Sequence, residues 1–195
     1  FGRVTNYPAL MGMQEKRETD LSAFTKWSGM FARFDRELND LKNKNIVQSW
    51  QRELMTYRGL SMKKTADAVN RLVNQKRYIL DNNNWGKSDY WATPVEFLKR
   101  GGDCEDFAIA KYTALRSLGF PEERLRLAIV QDLQKNIPHA VLVVYTDEGA
   151  YLLDNQNKNL VSAEYGSRYK PIYSINRHAW WLHSKGGKTL LASAE

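Results

Sequence analysis

The chain has 195 residues and a mass of 22.6 kDa, a length typical of one domain or of one core with an appended lobe. It is 43% hydrophobic and 26% charged, and no apolar run reaches the roughly 18–20 residues that cross a bilayer, so no integral membrane segment is expected. The single cysteine excludes an internal disulfide and an all-cysteine zinc site. The net charge of +7 would favour a nucleic-acid partner, but residues 1–99 carry +6 of it and residues 100–195 only +1. The basic excess therefore lies in the first half of the chain and is poor evidence for a nucleic-acid partner.

The first half of the chain is predicted to be helical. Apolar residues recur there at three- to four-residue steps in three stretches, the first with Asp20 as its expected N-cap. Asparagine-rich and glycine-containing segments separate or follow these stretches. The predicted elements are helices over 20–38, 46–57 and 62–79, a loop over 82–86 and a short helix over 94–98.

The second half begins with one more helix and then changes to strands. Gly101 and Gly102 precede Cys104, and the apolar face that follows predicts a helix ending at Gly119. Short segments rich in branched residues then predict an antiparallel sheet with a hairpin turn over 146–149, and the tail from Ser184 is expected to be loose. Helices followed by an antiparallel sheet indicate an α+β fold. The predicted strands cover 125–131, 140–145, 150–153 and 171–175.

Cys104 is a candidate nucleophile because it lies at or next to the first residue of a helix. Free N–H groups and the positive end of the helix dipole favour the thiolate there. A nucleophilic cysteine also needs a base and a group that orients the base. If Thr146 pairs with Gly149 in the hairpin, Asp154 becomes a diagonal neighbour of His139 on one face, although a register slip of one residue would separate them.

Structural roles for the same residues are the alternative. A lone cysteine at a buried helix start is more often a small packed side chain than a nucleophile. A histidine that begins a strand next to Pro138 is usually structural as well. His178 and His183 lie in an aromatic stretch with Trp180 and Trp181, where packing is the favoured interpretation.

Three motifs occurring in one order make this sequence similar to a known family. Residues 101–108 (Gly-Gly-Asp-Cys-Glu-Asp-Phe-Ala), His139 and residues 153–156 (Leu-Asp-Asn-Gln) resemble the bacterial transglutaminase-like cysteine proteinases. The resemblance covers roughly residues 20–180 and implies a papain/transglutaminase-like core with an N-terminal helical lobe. It implies a single catalytic domain over 1–195, in which about 1–100 are mainly helical, about 101–180 hold the catalytic helix and sheet, and 184–195 form a tail.

The resemblance also implies a function. It indicates a calcium-dependent cysteine endopeptidase of the periplasm that cleaves the N-terminal region of a large surface adhesin near a pair of alanines, which releases the adhesin and disperses biofilm. An inner-membrane receptor for cyclic-di-GMP would restrain it by sequestration. Cys104 would be the nucleophile, His139 the base and Asp154 the orienting carboxylate. The chain starts at Phe1 without a signal peptide, so the periplasmic assignment comes from the resemblance alone.

The expected calcium ligands flank the cysteine. The resemblance places Asp103 and Glu105 at the metal, with Asp106 as a weaker candidate. Three carboxylates this close would raise the pKa of Cys104 by repulsion unless a hard cation such as Ca²⁺ compensated them. In the alternative interpretation, Asp103 is an N-cap and the other two are ordinary first-turn acids. Related folds supply an oxyanion donor upstream of the cysteine, which makes Trp85 a weak candidate beside simple packing.

Two rival functions remain open at the level of sequence. The same triad could transfer acyl groups to amines, as in a transglutaminase or amidase, and generous transfer with little hydrolysis would indicate this. A basic binding module with an incidental triad would instead show salt-sensitive nucleic-acid binding that survives Cys104→Ala.

Overall fold

The computed structural model describes residues 1–2, 7–164 and 168–185. Within these ranges the chain forms six α-helices and seven β-strands. The helices are α1 (Thr25–Leu38), α2 (Lys44–Met55), α3 (Met62–Asn74), α4 (Asp81–Trp85), α5 (Pro94–Arg100) and α6 (Cys104–Ser117). The strands are β1 (Gln14–Glu18), β2 (Leu125–Asp132), β3 (Ile137–Thr146), β4 (Gly149–Leu153), β5 (Val161–Ser162), β6 (Tyr169–Ile175) and β7 (Trp180–Ser184).

All seven strands belong to one antiparallel sheet with the order β1-β7-β6-β2-β3-β4-β5. The helices cover one face of this sheet, and α6 packs directly on β3 and β2. The predicted α+β architecture, a cysteine-bearing helix on an antiparallel sheet with helices before it, is confirmed. None of the helices in the described ranges is both long and apolar enough to cross a membrane.

Alternation along the strands divides the apolar side chains into two clusters. In β2, Leu125 and Leu127 belong to the main cluster between sheet and helices, whereas Ala128 and Val130 belong to a second cluster on the opposite face. This is the two-residue period of a strand that is buried on both sides. Leu10, before β1, helps to close the second cluster.

The structure corrects three of the predictions about the helical half. The first helix begins at Thr25 rather than Asp20, because the Asp20 carboxylate accepts a hydrogen bond from the Ser22 N–H and closes a local turn instead of capping the helix. The third helix ends at Asn74 rather than Ile79, because the Ile79 N–H is bonded to the carbonyl of Gly102. The segment over 82–86, predicted as a loop, contributes four residues to α4, which Gly86 ends with φ of 63°.

Strands β1, β5 and β7 were not predicted. β1 has the sequence Gln-Glu-Lys-Arg-Glu and no apolar alternation, so its place is set by main-chain pairing with β7. The tail expected from Ser184 cannot begin there, since Ser184 is the last residue of β7. The rest of that predicted tail, from residue 186 onward, lies outside the described residues.

Candidate active site

Cys104 is the first residue of α6, and its surroundings require glycine at two positions. Gly101 has φ of +74°, and a Cβ there would lie 2.3 Å from the carbonyl oxygen of Arg77. A Cβ on Gly102 would lie 2.4 Å from Oδ2 of Asp106. That carboxylate accepts a hydrogen bond from the Asp103 N–H at 3.0 Å through Oδ2 and closes the start of the helix. The glycine pair therefore lets the chain approach the helix closely enough to present Cys104 at its first turn.

His139 and Asp154 form a buried pair. Nε2 of His139 lies 2.8 Å from Oδ1 of Asp154, and both side chains are about 95% or more buried. The hairpin has the predicted register, with Thr146 opposite Gly149. β4 ends at Leu153, so Asp154 is free to turn towards the imidazole. The predicted juxtaposition of the two side chains is confirmed.

The Cys104 thiol lies close to the same strand, because the backbone N–H of Ala140, the residue after His139, lowers the pKa of Cys104. β4 pairs with β3 only from Leu142 onward, which leaves the edge of β3 accessible to α6 at this point. Because Nε2 of His139 is engaged by Asp154, Nδ1 is the ring nitrogen available for proton exchange with the thiol.

Three further contacts hold Asp154. Its Oδ2 accepts a hydrogen bond from the Tyr169 hydroxyl, and its Oδ1 also accepts the Gln156 N–H at 3.0 Å. The Asn74 side chain donates to its main-chain carbonyl at 3.0 Å. Burial alone would raise the pKa of Asp154, but the hydrogen bonds from His139 and Tyr169 and the charge of His139 outweigh it, and the pKa lies below its usual value. Asp154 therefore stays a carboxylate beside the imidazole.

The acidic residues around Cys104 have the opposite effect. The thiol donates a hydrogen bond to Oε2 of Glu105 at 3.3 Å. Burial raises the pKa of Cys104 well above its usual value, and the charges of Glu105 and Asp103 raise it further, against the contribution of the Ala140 N–H. Without a compensating positive charge the neutral thiol is favoured, as the run of acids in the sequence suggests.

A cluster of three buried aspartates lies beside the thiol. One carboxylate oxygen from each of Asp81, Asp103 and Asp106 lies within 4.8 Å of the other two. Oδ1 of Asp81 and Oδ1 of Asp103 are buried and have no hydrogen-bond partner among the described residues. Burial raises the pKa of Asp103 to about 11, with further increases from Glu105 and Asp106, and raises the pKa of Asp106 to about 7.

These aspartates fit a hard cation. Burying a carboxylate oxygen without a hydrogen-bond donor costs folding free energy. A divalent ion that prefers oxygen ligands would offset this cost by coordinating the oxygens. Asp103 and Asp106 lie where the sequence interpretation placed a metal, and Asp81 completes the group. Glu105 is not one of the three, and its carboxylate accepts a hydrogen bond from the Cys104 thiol.

The family model described as bacterial transglutaminase-like cysteine proteinase BTLCP matches residues 36–187. The chain belongs to this family. It is a transglutaminase-like cysteine protease, in agreement with the helix-borne cysteine and the paired histidine and aspartate. The comparison with curated proteins gave no match.

Solved structures of Legionella pneumophila LapG are similar to this family member. A calcium-bound LapG is 34% identical, with a TM-score of 0.63 over 73% of this chain and 81% of that one. An EGTA-treated LapG is 31% identical, with a TM-score of 0.64 over 78% and 84% of the two chains. A further LapG structure gives 31% identity and a TM-score of 0.64 over 78% and 85%.

Trp85, the weak oxyanion candidate of this cysteine proteinase, lies at the end of α4. Its ring packs against Tyr90 at 4.7 Å between centroids and under the guanidinium of Arg100 at 4.1 Å. Its Nε1 is buried and has no hydrogen-bond partner among the described residues. The ring is thus packed, while its N–H is unused.

Of the two other histidines of the family member, His183 is packed as predicted, whereas the prediction of packing was wrong for His178. Nε2 of His183 lies 2.9 Å from the hydroxyl of Ser174, and both side chains are buried between β6 and β7. His178 is exposed and faces Glu123 at 3.7 Å.

Sequence reasoning missed Asp81, Asn74 and Tyr169. Asp81 follows the segment that pairs with Gly102, and Asn74 ends α3, so both reach the site from distant parts of the chain. Tyr169 comes from β6, two strands away from β3. The only local signal is that the acid Asp81 stands beside an asparagine-rich segment. This signal does not indicate which residues Asp81 contacts.

Proposed function

We propose that this cysteine protease is a calcium-dependent endopeptidase of the periplasm that cleaves the N-terminal region of a large surface adhesin and thereby releases it and disperses biofilm. The observation that carries the proteolytic part is the buried His139–Asp154 pair at 2.8 Å, in which His139 precedes Ala140, whose backbone N–H lowers the pKa of the Cys104 thiol. Substrate, compartment and regulation follow from the resemblance to adhesin-cleaving members of the family.

The proposed reaction is acyl transfer to water. The Cys104 thiolate attacks the carbonyl carbon of the scissile peptide bond, and the imidazolium of His139 gives its proton to the departing amine nitrogen. This leaves a thioester on Cys104 and a neutral imidazole. His139 then takes a proton from water as the water oxygen attacks the thioester, and the acid product leaves with regeneration of the thiolate–imidazolium pair. Asp154 holds the imidazole in orientation and stabilises its charged form.

Two donors are proposed for the oxyanion of the tetrahedral intermediate. The Cys104 N–H lies at the start of α6, where no carbonyl of the helix can use it. The second is the unused Nε1 of Trp85.

Trp85→Phe keeps an aromatic ring against Tyr90 and removes this donor, so we expect a lower kcat at nearly unchanged KM. An unchanged kcat would assign Trp85 to packing alone.

Calcium would be held by Asp81, Asp103 and Asp106, with Glu105 at the edge of the site. Bound there, it would neutralise carboxylates that otherwise raise the pKa of Cys104. The orphaned oxygens of Asp81 and Asp103 support this assignment. LapG has been solved both calcium-bound and EGTA-treated, which supports the choice of this ion.

Regulation is proposed to follow the family as well. An inner-membrane receptor for cyclic-di-GMP would bind the protease and keep it from the adhesin. Direct inhibition by the receptor is tested by mixing the purified protease with the periplasmic domain of such a receptor. Inhibition of cleavage by that domain supports it, and cleavage at the full rate in a saturating excess of the domain refutes it.

The test of the main proposal is cleavage of a purified adhesin N-terminal fragment, with Ca²⁺ and with excess EGTA, followed by sequencing of the product ends. We expect one cut near a pair of alanines in Ca²⁺ and none in EGTA. Cys104→Ala, His139→Ala and Asp154→Ala should each abolish the cut. His178→Ala is the matched control, because it removes an exposed histidine outside the site.

The outcomes separate the alternatives. Cleavage by purified Cys104→Ala would reject the nucleophile, and full turnover in excess EGTA would reject the metal. A reaction supplemented with a primary amine distinguishes acyl transfer, because a transglutaminase would attach the amine to the substrate with little hydrolysis.

A further inference from the structure

Tyr169 contacts both partners of the catalytic pair. Its hydroxyl donates a hydrogen bond to Oδ2 of Asp154, the oxygen that does not face His139. Its ring lies against the imidazole of His139, with 5.4 Å between centroids and 36° between planes. The side chain is 9% exposed, so water has little access to either contact. A single side chain thus fixes the second carboxylate oxygen and one side of the ring.

An irregularity in β6 places Tyr169 on this face of the sheet. The register of β2 with β6 shifts between Ile129 and Val130, so that Ile172 is an extra residue in β6. Residues four apart share a face in a regular strand, but Tyr169 packs in the second cluster while Tyr173 packs against the main one. Without the extra residue Tyr169 would face away from Asp154.

Neighbouring residues hold Tyr169 in place. The guanidinium of Arg168 lies over the Tyr169 ring at 5.3 Å from its centroid. Arg168 donates to Asp132 at 3.0 Å and to the side chain of Gln156 at 2.8 Å. The backbone N–H of Gln156 in turn donates to Asp154. The tyrosine is therefore part of a connected set of hydrogen bonds that ends on the catalytic carboxylate.

The hydroxyl acts as a donor throughout the working pH range. Burial, and then the Asp154 carboxylate, raise the pKa of Tyr169 above its usual value, so the phenol keeps its proton. A hydrogen bond from a neutral donor draws charge from the carboxylate and prevents its rotation about the last side-chain bond. Both effects reach His139 through Oδ1 of Asp154.

We propose that Tyr169 is a positioning residue of this protease: it orients Asp154 through its hydroxyl and His139 through its ring, and it limits the negative charge that Asp154 presents to the imidazole. This inference rests on the proposed proteolytic function. It assigns to Tyr169 no contact with substrate.

The central experiment compares Tyr169→Phe with wild type. Loss of a hydrogen bond to a charged group is expected to lower kcat by about tenfold with little change in KM. A positioning role predicts that the loss falls on kcat, whereas a general distortion of the site would also raise KM.

Tyr145→Phe is the matched control. Tyr145 is also buried in the second cluster, and its hydroxyl has no hydrogen-bond partner among the described residues. It should leave kcat and KM unchanged. If the two variants behave alike, the proposal is overturned.

A double-mutant cycle separates positioning from a merely structural role. In the Asp154→Asn background, Tyr169→Phe should have almost no further effect on kcat, because the charged acceptor is already gone. Independent, multiplying effects of the two substitutions would refute the proposal. Thermal unfolding of each variant shows whether a loss of fold contributes.

The rate of Cys104 alkylation by iodoacetamide, measured in Ca²⁺ at one fixed pH, gives a readout that needs no protein substrate. Slower alkylation in Tyr169→Phe than in wild type and Tyr145→Phe, with no cleavage of adhesin by wild type, would support the positioning role and reject the proposed function. Normal cleavage by wild type, with equal alkylation rates in all three proteins, would reject the positioning role and support the proposed function.

Discussion

Replacing Lys111 by methionine should change how the stability of this protein depends on pH. Lys111 lies in α6 two turns beyond Cys104, on the face that packs into the core, and its side chain is fully buried. Its ammonium has no hydrogen-bond partner among the described residues and lies 5.8 Å from the centre of the Phe107 ring. Burial lowers the pKa of Lys111 from 10.5 to about 7, against a smaller opposing effect of the Asp154 charge.

The magnitude follows from this pKa. Between about pH 7 and 10.5 the unfolded chain binds a proton at Lys111 that the folded chain does not, so stability rises with pH in this window. The slope is about 1.4 kcal/mol per pH unit, and the whole window corresponds to about 5 kcal/mol. Below pH 7 both states are charged at Lys111, and the full cost of burying the ammonium is present.

Urea unfolding of wild type and Lys111→Met at pH 7.5 and 9.5 tests this reasoning. Methionine has nearly the same length and no charge, so the variant should be the more stable protein at pH 7.5. Its advantage in free energy of unfolding should shrink by about 2.5 kcal/mol at pH 9.5. Titration of Cys104 and of the tyrosines occurs in both proteins and cancels in the difference.

The control for this comparison is Lys64→Met, which removes an exposed lysine from α3 and the same formal charge. An advantage of Lys111→Met that is the same at both pH values, within about 0.5 kcal/mol, would contradict the calculation. It would mean that Lys111 remains charged in the folded protein throughout this range.

Three further predictions concern the site. Asp81→Asn should stabilise the protein in EGTA by relieving repulsion, yet weaken calcium binding on the order of tenfold, as measured by calorimetry; unchanged calcium affinity would exclude Asp81 as a ligand. Gly102→Ala should cost about 2 kcal/mol in urea unfolding and most of the activity, because its Cβ would displace Asp106, and a neutral effect would contradict the close approach. Asn74→Ala should cost about 1 kcal/mol and lower kcat severalfold, since it frees the chain at Asp154; wild-type kcat would show that this bond has no role in the site.

Local patterns in the sequence were sufficient to predict the contact between His139 and Asp154. His139 and Asp154 lie on the two arms of one hairpin, and a two-residue turn determines which positions face each other. The start of α6 at Cys104 could also be predicted, because Gly101, Gly102 and an acidic first turn precede an apolar helical face. The boundary at Asp20 could not, since a side chain that suits an N-cap also suits a tight turn, and only the packing of Phe24 decides between them.

Strands at the edges of the sheet were beyond prediction for a different reason. β1 is held by main-chain hydrogen bonds to β7, and its polar side chains lack the apolar alternation that predicts a strand. Its partner begins at Trp180, where the aromatic residues suggested packing without indicating the element that carries them. Main-chain pairing leaves little trace in the identity of side chains.

The sequence by itself determined the α+β plan, the helix that presents Cys104 and the pairing of His139 with Asp154, because each depends on neighbours within one element or one hairpin. Only the tertiary structure decided what completes the site. Asp81 reaches the aspartate cluster because the segment before it pairs with Gly102, and Tyr169 reaches Asp154 because an extra residue in β6 turns it to that face. Contacts between distant segments depend on how whole elements pack, and packing free energy is shared by so many side chains that no short motif records it.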